Sequence, residues 1–468
     1  MHDFTPPASP PSARRPAAPR HLGMKCLALL LPALLAACGD GYGDGGGGGP
    51  LSCSVADQEA WLQAYFNDQY YFYAHSPQNP PQTAAVADYF DSLLYTGGDP
   101  RFPANVADIW SNITPSDKFN RFFGNGQDLG YGVFVNGIEV QGHPELPLVV
   151  RYVDPNSPAA SQGIARGDQI TAINGVPAAT VITSGDYSAL VASSAGQTLA
   201  LDTHNVGGDH HYSLLSTTYT LSPVNNTQVI TSPGGRKIGY VLVKDMIDSA
   251  VSPYDAAFAQ FKSAGVQDVV IDLRYNGGGL VGVGEILASY PAANLTNNQV
   301  YTNLTFNDKN QFQNVYYTFD PFAAALALPR VYVLTGPRTC SAAEQVVSGL
   351  SPYVSVVTIG SASCGKPFGF TPQDACGSVF SAVTFQATNS AGTSIPFGGI
   401  TPTCAVAEDL GKPLGALDEP LLAAAAVHAD SGACPVVGGA ATRAPAAAPG
   451  TLRAQWMEPN ERQGMYRN

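Results

Sequence analysis

Short apolar runs alternate with helical segments between residues 221 and 435, and this alternation limits the fold more than any other feature of the sequence. The runs rich in β-branched residues are KIGYVLV, DVVIDLR, RVYVLT and VSVVTIG. Between them, SPYDAAFAQFKSAG and SAAEQVVSGL have the apolar spacing of helices. Strands that alternate with helices indicate an α/β domain. We therefore expect residues 221–435 to form an α/β core around a mixed, largely parallel sheet.

Two regions of different character precede this core, so we expect an α/β multidomain chain. Residues 53–122 carry aromatic side chains near helical spacing in QEAWLQAYFNDQYYFY, followed by VADYFDSLL. They predict a small helical N-terminal domain with an aromatic core, or alternatively a lid over a substrate. Residues 123–220 contain strand-like runs, among them GYGVFV, LVVRYV and TLALDTHN, with short helices expected at SPAASQG and GDYSALVASS.

The two ends of the chain have the composition of export and linker segments. An apolar run after Met24 ends in Leu-Ala-Ala-Cys38, which resembles a bacterial lipobox. We expect residues 1–38 to be a signal peptide whose start is Met24, with Cys38 lipidated; an ordinary signal peptide without lipid is the alternative. Residues 39–52 would then be a glycine-rich tether. The Ala, Pro and Gly content of residues 436–468 predicts a disordered tail.

Charge and cysteine usage exclude some classes of function. The net charge of -13 argues against a nucleic-acid partner, because phosphate binding requires clustered Lys and Arg. No CxxC spacing supports a zinc site, and His210 with His211 is expected in a hairpin turn rather than on a metal. Outside the predicted signal there are six cysteines, an even number that suggests disulfides. The candidate pairs are Cys340–Cys364 and Cys376–Cys404, although sequence alone does not determine the connectivity.

Ser341 and Lys366 are the candidate catalytic residues. Ser341 follows a predicted strand and a Gly-Pro turn and begins a helix, where unpaired N–H groups favour developing negative charge. A serine at this place is usually a helix N-cap, and Glu344 completes the pattern of a capping box. Lys366, however, lies at the end of the next strand, and neighbouring parallel strands end side by side. A desolvated lysine there would have a lowered pKa and could take the serine proton.

A glycine-rich turn follows the strand before these two residues. The sequence Arg274-Tyr275-Asn276-Gly277-Gly278-Gly279 brings backbone N–H groups close to a substrate, so with the Ala342 N–H it could form an oxyanion hole. No GxxxxGK[ST] pattern is present, which removes the nucleotide-binding interpretation. Cys340 is a rival nucleophile, but a buried or disulfide-bonded cysteine is the simpler interpretation.

DLRYNGGGL, TCSAAE and GKPFG, with their spacing, resemble the C-terminal-processing (tail-specific) serine peptidase family, and the similarity extends through TPTCAVAEDLGKPLGALDEPLLAAA. The segment around GDQITAING resembles a PDZ domain. The family resemblance implies Ser341 as nucleophile, Lys366 as general base, and Gly278 with Ala342 as oxyanion donors. Where some family members carry an Asp or a Gln that orients the lysine, this chain has Pro352 and Phe370, so no third catalytic residue is identified.

The resemblance to a PDZ domain implies a peptide-binding loop at Gly130, Tyr131, Gly132 and Val133. A strand turn without a ligand is the alternative for that loop. The expected protein is a cofactor-free, metal-free serine endopeptidase of exported proteins, lipid-anchored in the bacterial cell envelope. Its partners would be peptide or protein substrates and the membrane. Two other functions stay open: a non-catalytic PDZ-containing lipoprotein that binds peptides, and an enzyme that hydrolyses small esters or lactams.

Overall fold

The computed structural model describes residues 48–435 and 464–467. The predicted signal peptide, Cys38 and most of the predicted tail lie outside these residues. The N-terminal region contains three helices and one strand, namely α1 (Val55–Gln69), α2 (Val86–Ser92), β1 (Asn112–Pro115) and α3 (Ser116–Phe123). Helix α1 begins after Ser54, whose hydroxyl accepts a hydrogen bond from the Asp57 N–H at 3.2 Å. This is the ordinary capping of a first-turn donor.

The aromatic residues of the N-terminal region form a core, but that core is shared with the C-terminal half of the chain. Helix α1 ends at Gln69, and the Tyr71 N–H then donates to the Val383 carbonyl at 2.8 Å. The Phe72 ring packs against Phe368, with ring centroids 5.0 Å apart. The expectation of a small domain with its own aromatic core therefore needs correction, because about a third of the buried residues in that core come from distant strands.

Residues 127–220 form a β-rich unit whose sheet has the order β3-β4-β5-β7-β8, with β6 on β5 and a separate β2–β9 pair. Its strands and helices are β2 (Gln127–Gly130), β3 (Val133–Val135), α4 (Gly137–Val140), β4 (Leu148–Val153), α5 (Pro158–Ser161), β5 (Gln169–Ile173), β6 (Val176–Pro177), α6 (Ala178–Ser184), β7 (Thr198–Asn205), β8 (Gly208–Leu215) and β9 (Thr217–Thr220). The predicted helix at GDYSALVASS is wrong: α6 precedes it and ends at Gly185, whose φ of +68 suits glycine.

The remaining elements build the predicted α/β core. They are β10 (Val224–Thr231), β11 (Lys237–Val243), α7 (Val251–Ala264), β12 (Asp268–Asp272), β13 (Gly278–Leu280), α8 (Val281–Ser289), α9 (Ala293–Thr296), β14 (Val300–Phe306), β15 (Val315–Thr318), β16 (Arg330–Thr335), α10 (Ala342–Leu350), β17 (Ser355–Gly360), β18 (Phe368–Phe370), β19 (Gln373–Ala375), β20 (Ser378–Ser381), β21 (Val383–Thr388), β22 (Cys404–Ala405), α11 (Pro420–Ser431) and β23 (Gly464–Tyr466). Short 3-10 turns occur at Tyr73–His75, Ser188–Leu190, Asp248–Ala250 and Asp308–Gln313.

The central sheet confirms the predicted topology. Its order is β10-β11-β12-β16-β17-β22, and every pairing except β10 with β11 is parallel. Each central strand is a continuous apolar run, because helices cover both faces of a parallel sheet. The carboxyl ends of β12, β16 and β17 lead directly into the glycine turn, the Ser341 turn and the Lys366 segment.

A second sheet has the order β13-β23-β18-β21-β14-β15, and a smaller one the order β1-β20-β19. Strand β23 lies in the segment predicted to be disordered. That prediction is wrong for residues 464–466, which form a strand. They lie between β13 and β18 and are parallel to both. This pairing could not be predicted, since GMY is too short to show a strand pattern.

Three disulfides connect the described cysteines. Cys340 is bonded to Cys364, as expected. Cys376 is bonded to Cys53 rather than to Cys404, and Cys404 is bonded to Cys434. The Cys53–Cys376 bond ties the start of the folded chain to the turn between β19 and β20.

His210 and His211 lie in strand β8 of the β7–β8 hairpin rather than in its turn, and they contact Asn205 and Asp202 respectively. Within residues 48–435 and 464–467, no helix has both the length and the apolar character that a bilayer crossing requires.

A buried ion-pair network fixes the turn after β12. The guanidinium of Arg274, only 1% exposed, donates to Asp272 at 2.9 Å and to Glu419 at 2.8 Å. It also donates to Glu408 at 3.1 Å. Burial raises the pKa of Asp272, and the Arg274 charge opposes that rise.

We predict that Arg274→Ala destabilises the protein by about 3–5 kcal/mol, because the substitution leaves Asp272 and Glu419 buried without their counter-charge. Denaturant unfolding followed by circular dichroism measures the effect. Lys412→Ala, which breaks the exposed pair with Asp418, is the matched control and should leave the unfolding midpoint nearly unchanged. Equal midpoints for the two variants would contradict this account of the network.

Candidate active site

Ser341 stands on a strained turn between β16 and α10. Its φ of 62° and ψ of -118° are unusual for a residue with a side chain. Its hydroxyl is fully buried and makes no hydrogen bond of normal geometry. A serine that served only as a helix cap would use its hydroxyl on the first turn of the helix. The strained backbone and the unused hydroxyl together distinguish Ser341 from an ordinary cap.

Lys366 is buried in the segment between β17 and β18. Its side chain is 1% exposed, and desolvation lowers its pKa to about 7, although the charges of Asp108 and Glu344 act in the opposite direction. The Nζ atom lies 4.0 Å from the centroid of the Phe370 ring. Phe370 occupies the position where some family members have a Gln. The lysine therefore packs on an aromatic face there.

The carboxylate of Glu344 holds the two candidate catalytic residues together. Its Oε2 atom accepts the Ser341 N–H at 2.8 Å and the Lys366 N–H at 2.9 Å. Its Oε1 atom accepts the Gly365 N–H at 2.8 Å and the Ser363 hydroxyl at 2.5 Å. Glu344 is fully buried, which raises its pKa, and these hydrogen bonds act against the rise.

The predicted capping box between Ser341 and Glu344 is present, but the sequence analysis missed the further role of Glu344 in holding the Lys366 segment. Only part of the role of Glu344 could be recognised from the sequence. Its bond to the Ser341 N–H is local, whereas its bonds to residues 363–366 join segments that only the fold brings together. The Cys340–Cys364 disulfide supports the same arrangement from the preceding residues.

The glycine turn after β12 lies against the Ser341 turn. A Cβ atom on Gly278 would stand 3.0 Å from the Ala342 nitrogen and 3.0 Å from the Cys340 carbonyl oxygen. A Cβ atom on Gly279 would lie 2.1 Å from the Met246 carbonyl oxygen, so neither position accepts a side chain. The two predicted oxyanion residues, Gly278 and Ala342, are therefore neighbours.

The hydrogen bonds of Asn276 orient this turn. They also show that the predicted oxyanion donor, the Gly278 N–H, is already engaged. The Gly278 N–H donates to the Asn276 side-chain oxygen at 2.8 Å, so it is not available to a substrate. The Asn276 side-chain NH2 group donates to the Val243 carbonyl, and the Asn276 backbone carbonyl accepts the Cys340 N–H at 3.0 Å. Ala342 is the first residue of α10, so its N–H has no partner within the helix.

The structure places the predicted PDZ loop in the sheet of the β-rich unit and not at the end of the central sheet, where the Ser341 turn lies. Residues Gly130, Tyr131, Gly132 and Val133 are buried, and Tyr131 belongs to the apolar core of the unit. The Gly132 carbonyl accepts the Asp154 N–H at 2.9 Å. Gly132 has φ +73°, and a Cβ atom there would overlap Ser157, which explains the glycine.

Two arginine contacts connect the PDZ-like unit to the active-site turns. Arg166 donates to the Tyr275 hydroxyl at 2.5 Å and to Glu408 at 2.8 Å. Arg338, three residues before Ser341, forms an ion pair with Glu139 of the PDZ-like unit. Both turns are therefore in direct contact with that unit.

Comparison with known proteins agrees with this architecture. Residues 237–406 match the family described as Peptidase family S41, and residues 149–203 match the PDZ domain. The chain is 30% identical over 216 residues to the chloroplastic carboxyl-terminal-processing peptidase 3 of Arabidopsis thaliana, covering 44% of this chain and 39% of that protein. It is 26% identical over 233 residues to a carboxyl-terminal-processing protease of Picosynechococcus, covering 49% of this chain and 53% of that protein. The chain thus spans about half or less of the length of these curated relatives.

A solved structure is similar over most of the chain. It is that of a Bacteroides fragilis protein assigned to the S41 proteases, with 25% sequence identity and a TM-score of 0.60. The match covers 80% of this chain and 97% of that one. Together with the fold, these matches identify residues 237–406 as a domain of peptidase family S41, with a PDZ domain ahead of it at residues 149–203, and the curated relatives are carboxyl-terminal-processing peptidases.

Proposed function

We propose that this protein is a serine endopeptidase that hydrolyses peptide bonds of exported proteins through an acyl-enzyme on Ser341. The observation that carries the proposal is the shared Glu344 carboxylate, which fixes the backbones of Ser341 and Lys366 on one oxygen atom. A buried Ser341 hydroxyl without a hydrogen-bond partner, and a desolvated lysine with a pKa of about 7 whose backbone shares the same carboxylate, support a Ser-Lys dyad.

The reaction follows from these two side chains. Ser341 Oγ attacks the carbonyl carbon of the peptide bond while its proton passes to the neutral Lys366 amine. The resulting ammonium donates that proton to the leaving nitrogen as the C–N bond breaks, which leaves an ester on Ser341. Water then attacks the ester, Lys366 takes the water proton, and the proton returns to Ser341 as the ester C–O bond breaks.

The oxyanion of both tetrahedral intermediates would be stabilised by backbone N–H groups. Ala342 supplies one donor from the start of α10, and Gly279 supplies the other, since the Gly278 N–H is engaged by Asn276. Each such donor is typically worth about 2.7–4 kcal/mol in the transition state. The close approach of Gly278 to the Ala342 nitrogen supports this placement.

The PDZ domain would assist by binding carboxyl-terminal segments of substrates at residues 130–133. The names of the curated relatives, carboxyl-terminal-processing proteases, support this choice of substrate. Arg166 and Arg338 offer contacts through which binding there would reach the catalytic turns. The lipobox-like sequence ending at Cys38 supports lipid anchoring in the bacterial cell envelope.

We expect Ser341→Ala and Lys366→Met to lower the hydrolysis of an unfolded protein below about one per cent of wild type, because each removes one half of the dyad. Gel electrophoresis of a reduced, unfolded substrate measures the cleavage. Ser348→Ala on the same helix and Lys309→Ala on an exposed turn are the matched controls, and both should keep most of the activity. Equal turnover by all variants would refute the mechanism, and a wild type that binds peptides without cleaving them would favour the non-catalytic alternative.

The rate should rise with pH through about 7. Lys366 accepts a proton only in its neutral form, and its lowered pKa makes the neutral fraction grow across this range. The pH dependence of kcat/KM on a quenched fluorescent peptide provides the measurement. Lys366→Arg stays protonated at every pH in the range and should be inactive throughout. A basic limb centred near pH 10 would mean that the lysine is solvated and not poised as a base.

Glu344→Gln should lower kcat while leaving KM nearly unchanged. The side-chain NH2 group of the glutamine would face backbone N–H groups that donate to the carboxylate in the wild type, so hydrogen bonds would be lost. The substitution also removes a charge that raises the Lys366 pKa, so the rising limb of the pH profile should move to lower pH. Glu145→Gln, on an exposed loop of the PDZ domain, is the control. A drop in kcat without movement of the limb would limit Glu344 to a purely structural role.

A further inference from the structure

Strand β23 fills the gap between the two chain segments that carry the catalytic groups. The Gly464 N–H donates to the Gly277 carbonyl at 3.0 Å on one side. The Arg467 N–H donates to the Phe370 carbonyl at 3.1 Å on the other. Strand β13 follows the glycine turn and β18 follows Lys366, so residues 464–467 complete a sheet whose flanking strands frame the active site.

The carbonyl of Gly464 points towards the proposed oxyanion donors. In the parallel ladder Gly464 lies opposite Gly278, and its N–H is bonded to Gly277. The alternation of such a ladder directs the Gly464 carbonyl to the Gly279 N–H. A Cβ atom on Gly278 would stand 2.3 Å from the Gly464 oxygen and 3.0 Å from the Ala342 nitrogen. The carbonyl therefore lies against the glycine turn that would supply one oxyanion donor.

The side chains of this segment occupy formed sites. Met465 is fully buried in the largest apolar cluster of the catalytic domain. The Tyr466 ring is 6% exposed and lies 4.7 Å from the Phe123 ring and 5.3 Å from the Phe370 ring, between centroids. Burial raises the pKa of Tyr466 to about 12. A Cβ atom on Gly464 would stand 2.1 Å from the ring of Tyr466, two residues on in the same segment, so the glycine leaves room for the position of that ring.

We propose that the groove between β13 and β18 is the peptide-binding site, that it selects an apolar residue followed by an aromatic residue, and that Gly464–Arg467 occupies it as a built-in competitor of substrates. This inference rests on the proposed peptidase function for its role in catalysis. The binding itself rests only on the pairing and burial of residues 464–467. Main-chain bonds on both edges supply affinity for any extended peptide, and the Met465 and Tyr466 sites supply the selectivity.

Binding is tested on the chain lacking residues 464–468 and carrying Ser341→Ala, so that no peptide is consumed. The probe is a fluorescein-labelled peptide of residues 461–468, followed by fluorescence anisotropy. We expect saturable binding, with affinity at least tenfold lower for the Met465→Asp peptide, because a carboxylate would be buried in an apolar site. A peptide of the same composition in reversed order is the matched control. Equal binding of natural and reversed peptides, or no binding, overturns the inference.

The intact chain provides a second measurement that does not depend on the shortened protein. With Ser341→Ala alone, the intact chain should bind the labelled peptide at least tenfold more weakly than the shortened chain, since its own segment occupies the groove. Full-length Met465→Asp keeps the chain length and should bind the probe like the shortened chain. Identical affinities for the intact chain, the shortened chain and Met465→Asp would show that residues 464–467 do not compete for this groove.

Activity separates this inference from the proposed function. Shortening the chain or introducing Met465→Asp should raise peptidase activity several-fold, and the free peptide should inhibit both variants competitively. If no variant cleaves any substrate while the peptide binds as expected, the proposed function fails and the binding site stands. If the variants cleave at the wild-type rate and the peptide does not inhibit them, the function stands and the inference is overturned.

Discussion

The active site depends on one buried carboxylate. Glu344 accepts four hydrogen bonds from two segments, one from the Ser341 N–H and three from residues 363–366, including the Lys366 N–H. A charge of this kind is costly to bury, and charge-assisted hydrogen bonds of normal length are what offset the cost. Because both oxygen atoms are fully used, the carboxylate holds the nucleophile turn in a strained conformation without touching either reactive side-chain atom. It positions the two residues of the proposed dyad through their backbones.

A second buried network performs a similar function for the glycine turn. Arg274 satisfies Asp272 and Glu419 beneath the turn, and Tyr275 extends from the turn to Glu408 and to Arg166 of the PDZ domain. Removing any member leaves a buried charge or hydroxyl without a partner, so the network has few stable alternatives. The geometry of the oxyanion donors is thereby linked to the docking of the PDZ domain.

The sequence predicted the central sheet well because its strands are continuous apolar runs, and local pattern determines such elements. It predicted Ser341, Lys366 and Ala342 as neighbours through strand order and family resemblance. It could not identify Glu344 as their anchor, since three of the four hydrogen bonds of Glu344 join it to residues near Lys366 that only the fold brings close. The Gly278 N–H was the wrong choice of oxyanion donor for a related reason. It is engaged by the Asn276 side chain, and no rule of sequence spacing predicts that contact.

The pairing of residues 464–466 lay beyond prediction, and its physical cause explains why. Strands β13 and β18 have three residues each, and neither pairs directly with the other. Strands this short have little stability of their own, and an extended segment between them satisfies main-chain groups on both edges at once. Almost any sequence could make those bonds, so GMY carries no strand signal. What distinguishes it is the fit of a bare glycine, a buried methionine and a tyrosine among phenylalanine rings. Such a groove recognises the side chains of a bound peptide at a few positions and only its main chain at the others. This form of recognition is expected of an enzyme that acts on extended peptides.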